Sequence, residues 1–183
     1  AEISAIHEQI PCEIEVFIFG NIGMMAEGRC SLTNYVTGYS TNMDGVCSPA
    51  SHVQFEEDAN QKLTSSLGDF VIDCVGCGEN AGYPTICKGR YLTEAHEESY
   101  YAFEEPISLN LTRLLPDLMD AGVTALKIEG RQRSRAYVRS VVAAFRQAID
   151  AYMEGREPPL SDLLALTEGH KETQGAFAGK RWR

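Results

Sequence analysis

The sequence predicts an α/β protein resembling the C-terminal portion of a TIM-like (β/α) barrel, with irregular cysteine-bearing loops and a small strand excursion between its regular elements. Three observations carry that expectation. EIEVFIF, residues Glu13 to Phe19, holds a near-continuous apolar stretch from Val16, as a strand covered on both faces does. ALKIEG, from Ala125 to Gly130, reads as a second buried strand. Behind it Val138, Val141, Val142, Phe145, Ile149 and Tyr152 recur at the 3.6-residue period of an amphipathic helix.

The remaining elements follow in order. NIGMMAEGRCSLTNYVTG has room for a short helix around Met24 to Glu27, broken by Gly28. Tyr39 to Ala50 is rich in Asn, Asp, Gly, Ser and Pro, so it is a loop, and it contains Cys47. Residues 51–70 suggest a strand or hairpin excursion, HVQFE and then DFVID, across a polar acidic connection. CVGCGENAGYPTICKGRY is glycine-rich and irregular, the texture of a loop that carries chemistry while a scaffold elsewhere supplies rigidity. Beyond Glu105 an αβα rhythm sets in. Pro106 to Leu109 is a short strand, and Asn110 is an N-cap candidate for LTRLLPDLMDAG. Pro116 begins or interrupts that helix, and Gly122 suits its end. Ser134 caps the long helix, which Gly155 and the prolines at 158 and 159 stop.

Three or four strands do not close a barrel, and the chain starts without Met, almost at once entering a strand-like segment. Both features suggest a cut, with more of the barrel encoded elsewhere. Residues 1–155 are then the C-terminal part of a barrel domain, and 156–183 an extension that packs Phe177 and Trp182 back onto the body.

Composition narrows the function. At 183 residues and 44% hydrophobic content the chain has enough material for a real core. Its net charge, 16 basic minus 26 acidic residues or −10, argues against a nucleic-acid backbone as main partner. No apolar run reaches membrane-spanning length, so no transmembrane segment and a cytoplasmic setting are expected. Six cysteines could make three disulfides in a secreted protein, but this size and the missing export signal favour reduced thiols, some of them metal ligands.

Cys30, Cys47 and Cys87 sit in GRCS, GVCSPA and ICKGR. A thiolate bound to iron needs such loops, with exposed amides, nearby positive charge and freedom to bend. Cys74 and Cys77 form CVGC before Gly78, a spacing that suits zinc, iron–sulfur or a redox dithiol. With no second CxxC this is no zinc ribbon, and free core cysteines are the competing reading. Cys12, before the first strand, is read as structural. In KIEGRQRSRAY, Lys127, Glu129, Arg131, Arg133 and Arg135 crowd a strand end and a helix start. An anion site and a structural ion-pair network both explain them. His7, His52, His96 and His170 share no motif, and the glycine runs match neither a dinucleotide nor a Walker pattern.

Five phrases, CEIEVFIFG, EGRCSLTNYVTG, GVCSPA, ENAGYPTICKGRY and LKIEGRQRSRAYV, closely resemble the collagenase-like peptidases of family U32. The resemblance runs from about Cys12 to the C-terminus and corresponds to the second half of a full member. The wording is nearest the UbiU-like branch, which serves oxygen-independent ubiquinone biosynthesis. The resemblance implies a [4Fe–4S] cluster, with Cys30, Cys47 and Cys87 as three of its four ligands. The first family ligand falls seven residues before Cys30, where this chain has Gly23, which cannot ligate. Cys77, ten residues from Cys87, and then Cys74 are the candidate replacements, ahead of a carboxylate or histidine, and a labile or lost cluster is the alternative. The resemblance further implies a heterodimer with a UbiV-like cluster protein and hydroxylation of a ubiquinone precursor without molecular oxygen. A small anionic substrate, prephenate, would be the oxygen source, and Glu129 and Arg131 the polar groups at the active site. A non-catalytic scaffold or electron-transfer subunit is the alternative. Proteolysis lacks its nucleophile or metal motif here, and the charge disfavours the family's tRNA-hydroxylating branch.

Overall fold

Strand β1 (Glu15–Asn21) lies inside a four-stranded sheet because its side chains leave it no other place: Ile18 and Phe19 are fully buried and Val16 nearly so. The computed structural model describes residues 2–22, 30–79, 81–130, 133–158, 163, 165–167 and 171–178. These group into two compact units, residues 1–22 with 107–183, and residues 23–106. The first unit holds both sides of the boundary at residue 155 suggested by the sequence.

In the first unit, β1 pairs in parallel with β8 (Ala125–Ile128) and antiparallel with β7 (Ser108–Asn110), while β9 (Glu172–Thr173) pairs in parallel with β7. The β1–β8 pair is the parallel arrangement expected. The short strand after Pro106, however, runs against it. The chain leaves β1 at its C-terminal end and comes back to the same end after residues 22–107, so β7 enters head to tail with Asn21 opposite Ser108. No closed barrel is formed among the described residues. The protein is a mixed α/β structure.

The long helix α5 (Arg135–Met153) forms as its periodicity demands, burying Val141, Phe145, Ala148 and Ala151 on one face. Ser134 caps it, its side-chain oxygen accepting from the Tyr137 amide at 3.1 Å. Gly155, with φ of 70°, supplies the left-handed step that follows it. Phe145 meets Phe19 edge-on, with ring centroids 5.5 Å apart. Asn110 is not the N-cap expected of it: it ends β7 and its side chain accepts from the Thr112 amide. Leu111 precedes the 3-10 turn (Thr112–Leu114), and helix α4 (Leu115–Asp120) follows with Pro116 in its first turn. A further helix, α1 (Glu2–Gln9), precedes β1, where the sequence suggested none. It buries no residue fully, and only Ile3 packs against the core, so the Ile3–Ile6 spacing is too short a stripe to announce it. Among the described residues no helix is long and apolar enough to cross a membrane. Phe177 lies in a 3-10 turn, half-exposed, whereas Trp182 lies outside the described residues.

The second unit contains helices α2 (Ser31–Thr37) and α3 (Thr41–Asp44) and an antiparallel sheet of β2 (Val53–Glu57), β3 (Leu63–Leu67) and β4 (Phe70–Val75). The excursion thus has three strands instead of two. LTSSL pairs on both sides, with Leu67 and Ser65 buried, although its serines look like a connection. The turn before it is closed by Asp58, whose carboxylate accepts from the amides of Asn60 and Lys62. A small core of Leu67, Ile72 and Ile86 takes Leu32, Val36, Val53 and Tyr91 against it. The hairpin β5 (Arg90–Tyr91) with β6 (Tyr100–Tyr101) completes the unit. The short helix proposed around Met24 falls outside the described residues.

Two expectations follow. Phe145→Ala should cost about 3–5 kcal/mol of stability, read by denaturant unfolding. The bonds from the Lys62 and Asn60 amides hold the Asp58 carboxyl below its ordinary value of 3.8. A carboxylate favoured by folding stabilises fully above its unfolded pKa and loses that contribution as pH falls through the folded one. Amide protection in the β2–β3 hairpin, measured relative to the intrinsic exchange rate at each pH, should therefore fall below about pH 4, and Asp58→Ala should remove that dependence.

Candidate functional site

Three cysteines from separate loops of the second unit share one neighbourhood. Cys30 is the residue before α2, and its backbone amide donates to Thr41 Oγ1 at 3.2 Å. One turn into the helix, buried Thr33 lies with Oγ1 3.4 Å from Cys30 Sγ and donates to the Cys47 carbonyl at 2.9 Å. That hydroxyl ties the first cysteine loop to the second. Ser48, fully buried, sits with Oγ 3.9 Å from Cys47 Sγ, and its carbonyl accepts from the Tyr83 hydroxyl at 3.2 Å. The third loop forms a 3-10 turn over Ile86–Lys88, held by the Tyr91 hydroxyl donating to the Ile86 carbonyl at 2.6 Å.

Cys87 lies close enough to the other two cysteines for both to act on its thiol. Burial pushes the Cys87 thiol up, the neighbouring Lys88 ammonium opposes this, and Cys47, Cys30 and Glu104 add to the rise. Tyr83 is raised by burial and by Cys47. Tyr91 is pushed to about 12 by burial, then by Cys87 and Asp73. Among the described residues no three His, Cys, Asp or Glu side chains close to the spacing of a single-ion site. With metal–sulfur bonds of about 2.3 Å, one ion draws its ligand sulfurs nearly into contact. A group with several metal corners spreads them more widely, and three soft thiol donors from bendable loops suit such a group.

Cys74 and Cys77 are placed differently. Cys74 projects from β4 to within 3.3 Å of Thr64 Oγ1, and exposed Cys77 donates to Gln61 Oε1 at 3.1 Å. The Cys74 partner lies in β3 and the Cys77 partner in the turn before it. Neither is among the groups that shift Cys87. Cys12 is exposed. Gly23 and Arg131 lie outside the described residues.

In the first unit, Glu129 stands at the C-terminal end of β8, its amide donating to the Phe19 carbonyl at 2.9 Å. Gly20, with φ of 136°, makes room for it: a Cβ there would lie 2.4 Å from the Glu129 Cβ. Arg133 approaches Glu129 at 3.5 Å and stacks its guanidinium 5.4 Å from the Tyr137 ring centroid. An ion pair is therefore formed in the KIEGRQR segment, at the strand ends where α/β folds place ligands. Asn21, at the end of β1, buries its side-chain oxygen with no hydrogen-bond partner among the described residues.

The sequence profile described as Peptidase family U32 matches residues 1–180. The chain belongs to peptidase family U32. Among its U32 relatives, the tRNA hydroxylation protein P1 of Bacillus subtilis is 30% identical over 151 residues, covering 82% of this chain and 29% of that protein. The tRNA hydroxylation protein P of Escherichia coli is 30% identical over 187 residues, covering 92% of this chain and 40% of the relative. The 23S rRNA 5-hydroxycytidine C2501 synthase of Escherichia coli is 28% identical over 171 residues, covering 93% and 20%. This U32 chain thus spans between a fifth and two fifths of the length of these relatives. No solved structure matches it.

Sequence reasoning missed Thr33 and Glu104 in this U32 site, and it passed over Lys88. The only signal for Thr33 is its place one helical turn after Cys30. Glu104 lies seventeen residues beyond Cys87 and carries no local mark. Thr33→Val keeps the shape but leaves the Cys47 carbonyl without its donor. It should cost about 1–3 kcal/mol, whereas Thr33→Ser should stay near the parent, both read by thermal and denaturant unfolding.

Proposed function

We propose that this chain carries the cluster-holding part of an oxygen-independent hydroxylase subunit of the UbiU type. The observation behind this reading is that Thr33 joins the Cys30 loop to the Cys47 loop, with the Cys87 turn close enough for both thiols to raise that of Cys87. They would hold a [4Fe–4S] cluster, which supplies one-electron chemistry when bound. For the fourth position we keep Cys77 ahead of Cys74, because its thiol is exposed and donates to Gln61 in the turn before β3. The family barrel would be completed by strands encoded beyond this chain.

Within this reading the protein's own groups have separate tasks. Thr33 fixes the Cys30 loop to the Cys47 loop, and Tyr83 and Tyr91 brace the loops around Cys47 and Cys87. Glu129, which pairs with Arg133, and Arg131 are the groups we assign to a small anionic substrate such as prephenate. The acceptor would be a ubiquinone precursor, and the partner a UbiV-like cluster protein in a heterodimer. The names of three relatives favour a second reading, hydroxylation of tRNA or rRNA. The net charge of −10 weighs against a polynucleotide docking on this part of the protein. A scaffold or electron-transfer role without catalysis is a third reading.

The test is iron and acid-labile sulfide per chain, after anaerobic preparation of the full-length protein with its partner. About four of each beyond the partner's content is the expected result. Cys30→Ser, Cys47→Ser and Cys87→Ser should each abolish that content, and Cys77→Ser should lower it more than Cys74→Ser. Iron near zero in the parent protein would sink the proposal. In a deletion strain, unhydroxylated ubiquinone precursors would support the UbiU-type role, and loss of hydroxylated RNA nucleosides the second reading.

A further inference from the structure

Lys88 is the one charged residue in the buried class among the described residues, at 5% exposure. An ammonium taken out of water costs several kcal/mol unless it is paired. Its partner is Glu104, whose carboxylate forms an ion pair with the Lys88 ammonium. Glu104 is also bound through its backbone, its amide donating to the Cys87 carbonyl at 3.2 Å. The segment at Glu104 is therefore tied to the third cysteine loop twice, once at Cys87 and once at Lys88. Buried ion pairs are weak devices for stability, since apolar replacements of the same shape are often as stable or more so. Their placement needs another reason. Here the pair adjoins the third cysteine: Lys88 follows Cys87 directly in the chain, and the residue that pairs with it is itself bound to the Cys87 carbonyl.

We propose that Lys88, held in place by Glu104, is the counter-cation of the Cys30–Cys47–Cys87 site, a positioning residue that offsets the negative charge gathered there. This rests on the reading of that site as a cluster site. Thiolate ligands make such a cluster net negative, and one-electron reduction adds a further negative charge. A fixed cation beside it favours the reduced form, and a nearby carboxylate disfavours it. Glu104 thus has two roles of opposite sign: it anchors the lysine and tempers its field.

The experiment is a mediated redox titration of the cluster in the full-length protein with its partner, under anaerobic conditions, with iron content and melting temperature measured alongside. Lys88→Met should shift the one-electron equilibrium at least tenfold toward the oxidised form, or 59 mV downward. Lys88→Arg should restore the parent potential, and Glu104→Gln should move it upward by a smaller amount. A fully loaded Lys88→Met with the parent potential would overturn the proposal, as the pair would then be a clamp only. So would a Glu104→Gln potential that falls together with that of Lys88→Met. If Lys88→Met fails to load or fold, the direction of the Glu104→Gln shift decides: a rise supports the proposal, and no rise overturns it. Absence of iron in the parent is the distinct failure of the cluster reading, and the counter-cation role falls with it.

Discussion

The pairing of β1 with its two neighbours is the constraint on which the first unit depends. The carbonyls of Ile14, Ile18 and Phe19 accept from Thr124 and Ala125, from Leu111, and from Glu129, so one strand seats both returning segments. Its side chains meanwhile fill the core, where Phe19 meets Phe145 of the long helix. The β1–β8 register shifts between Phe17 and Phe19, which brings Phe19 beside Ile128 and Gly20 beside Glu129. The carboxylate at the strand end is thereby placed by backbone bonds and by the missing side chain at Gly20, not by its own preferences.

The thiol site in the second unit is organised by other means. No ladder runs through Cys30, Cys47 or Cys87. Hydrogen bonds from Thr33, Tyr83 and Tyr91, together with the Lys88–Glu104 pair, hold loops whose own regular structure is at most a single 3-10 turn. Such an arrangement suits loops that must bend around a bound group. The sheet of β2, β3 and β4 lends rigidity through the small core of Leu67, Ile72 and Ile86.

How much of this was legible in the sequence depended on whether the signal was local. The helix capped by Ser134 was visible because its apolar period and its cap lie within one segment. β1 and β8 were visible from their apolar runs. The direction of β7 was not, since it is set by where the chain returns after residues 22–107 and not by SLN itself. β3 was missed because LTSSL hides a buried serine among residues that usually mark a turn. At the site, the three cysteine loops could be singled out by their glycines and basic neighbours. What links them, the Thr33 hydroxyl and Glu104, is a matter of contacts between segments, which a residue-by-residue reading does not supply.

The facing of Asn21 and Ser108 across the β1–β7 ladder has a consequence for the history and engineering of the chain. Those residues end one strand and begin the next, side by side, so the stretch between them enters and leaves through a single gap. Topologically it is an insertion in what would otherwise be a plain hairpin. Closing so long a loop costs only slightly more entropy than closing a short one, because the penalty grows with the logarithm of length. The cysteine-bearing segment can therefore lengthen, shorten or exchange its loops while the strands that flank it keep their register. A lineage can remodel its chemistry there and leave its scaffold alone.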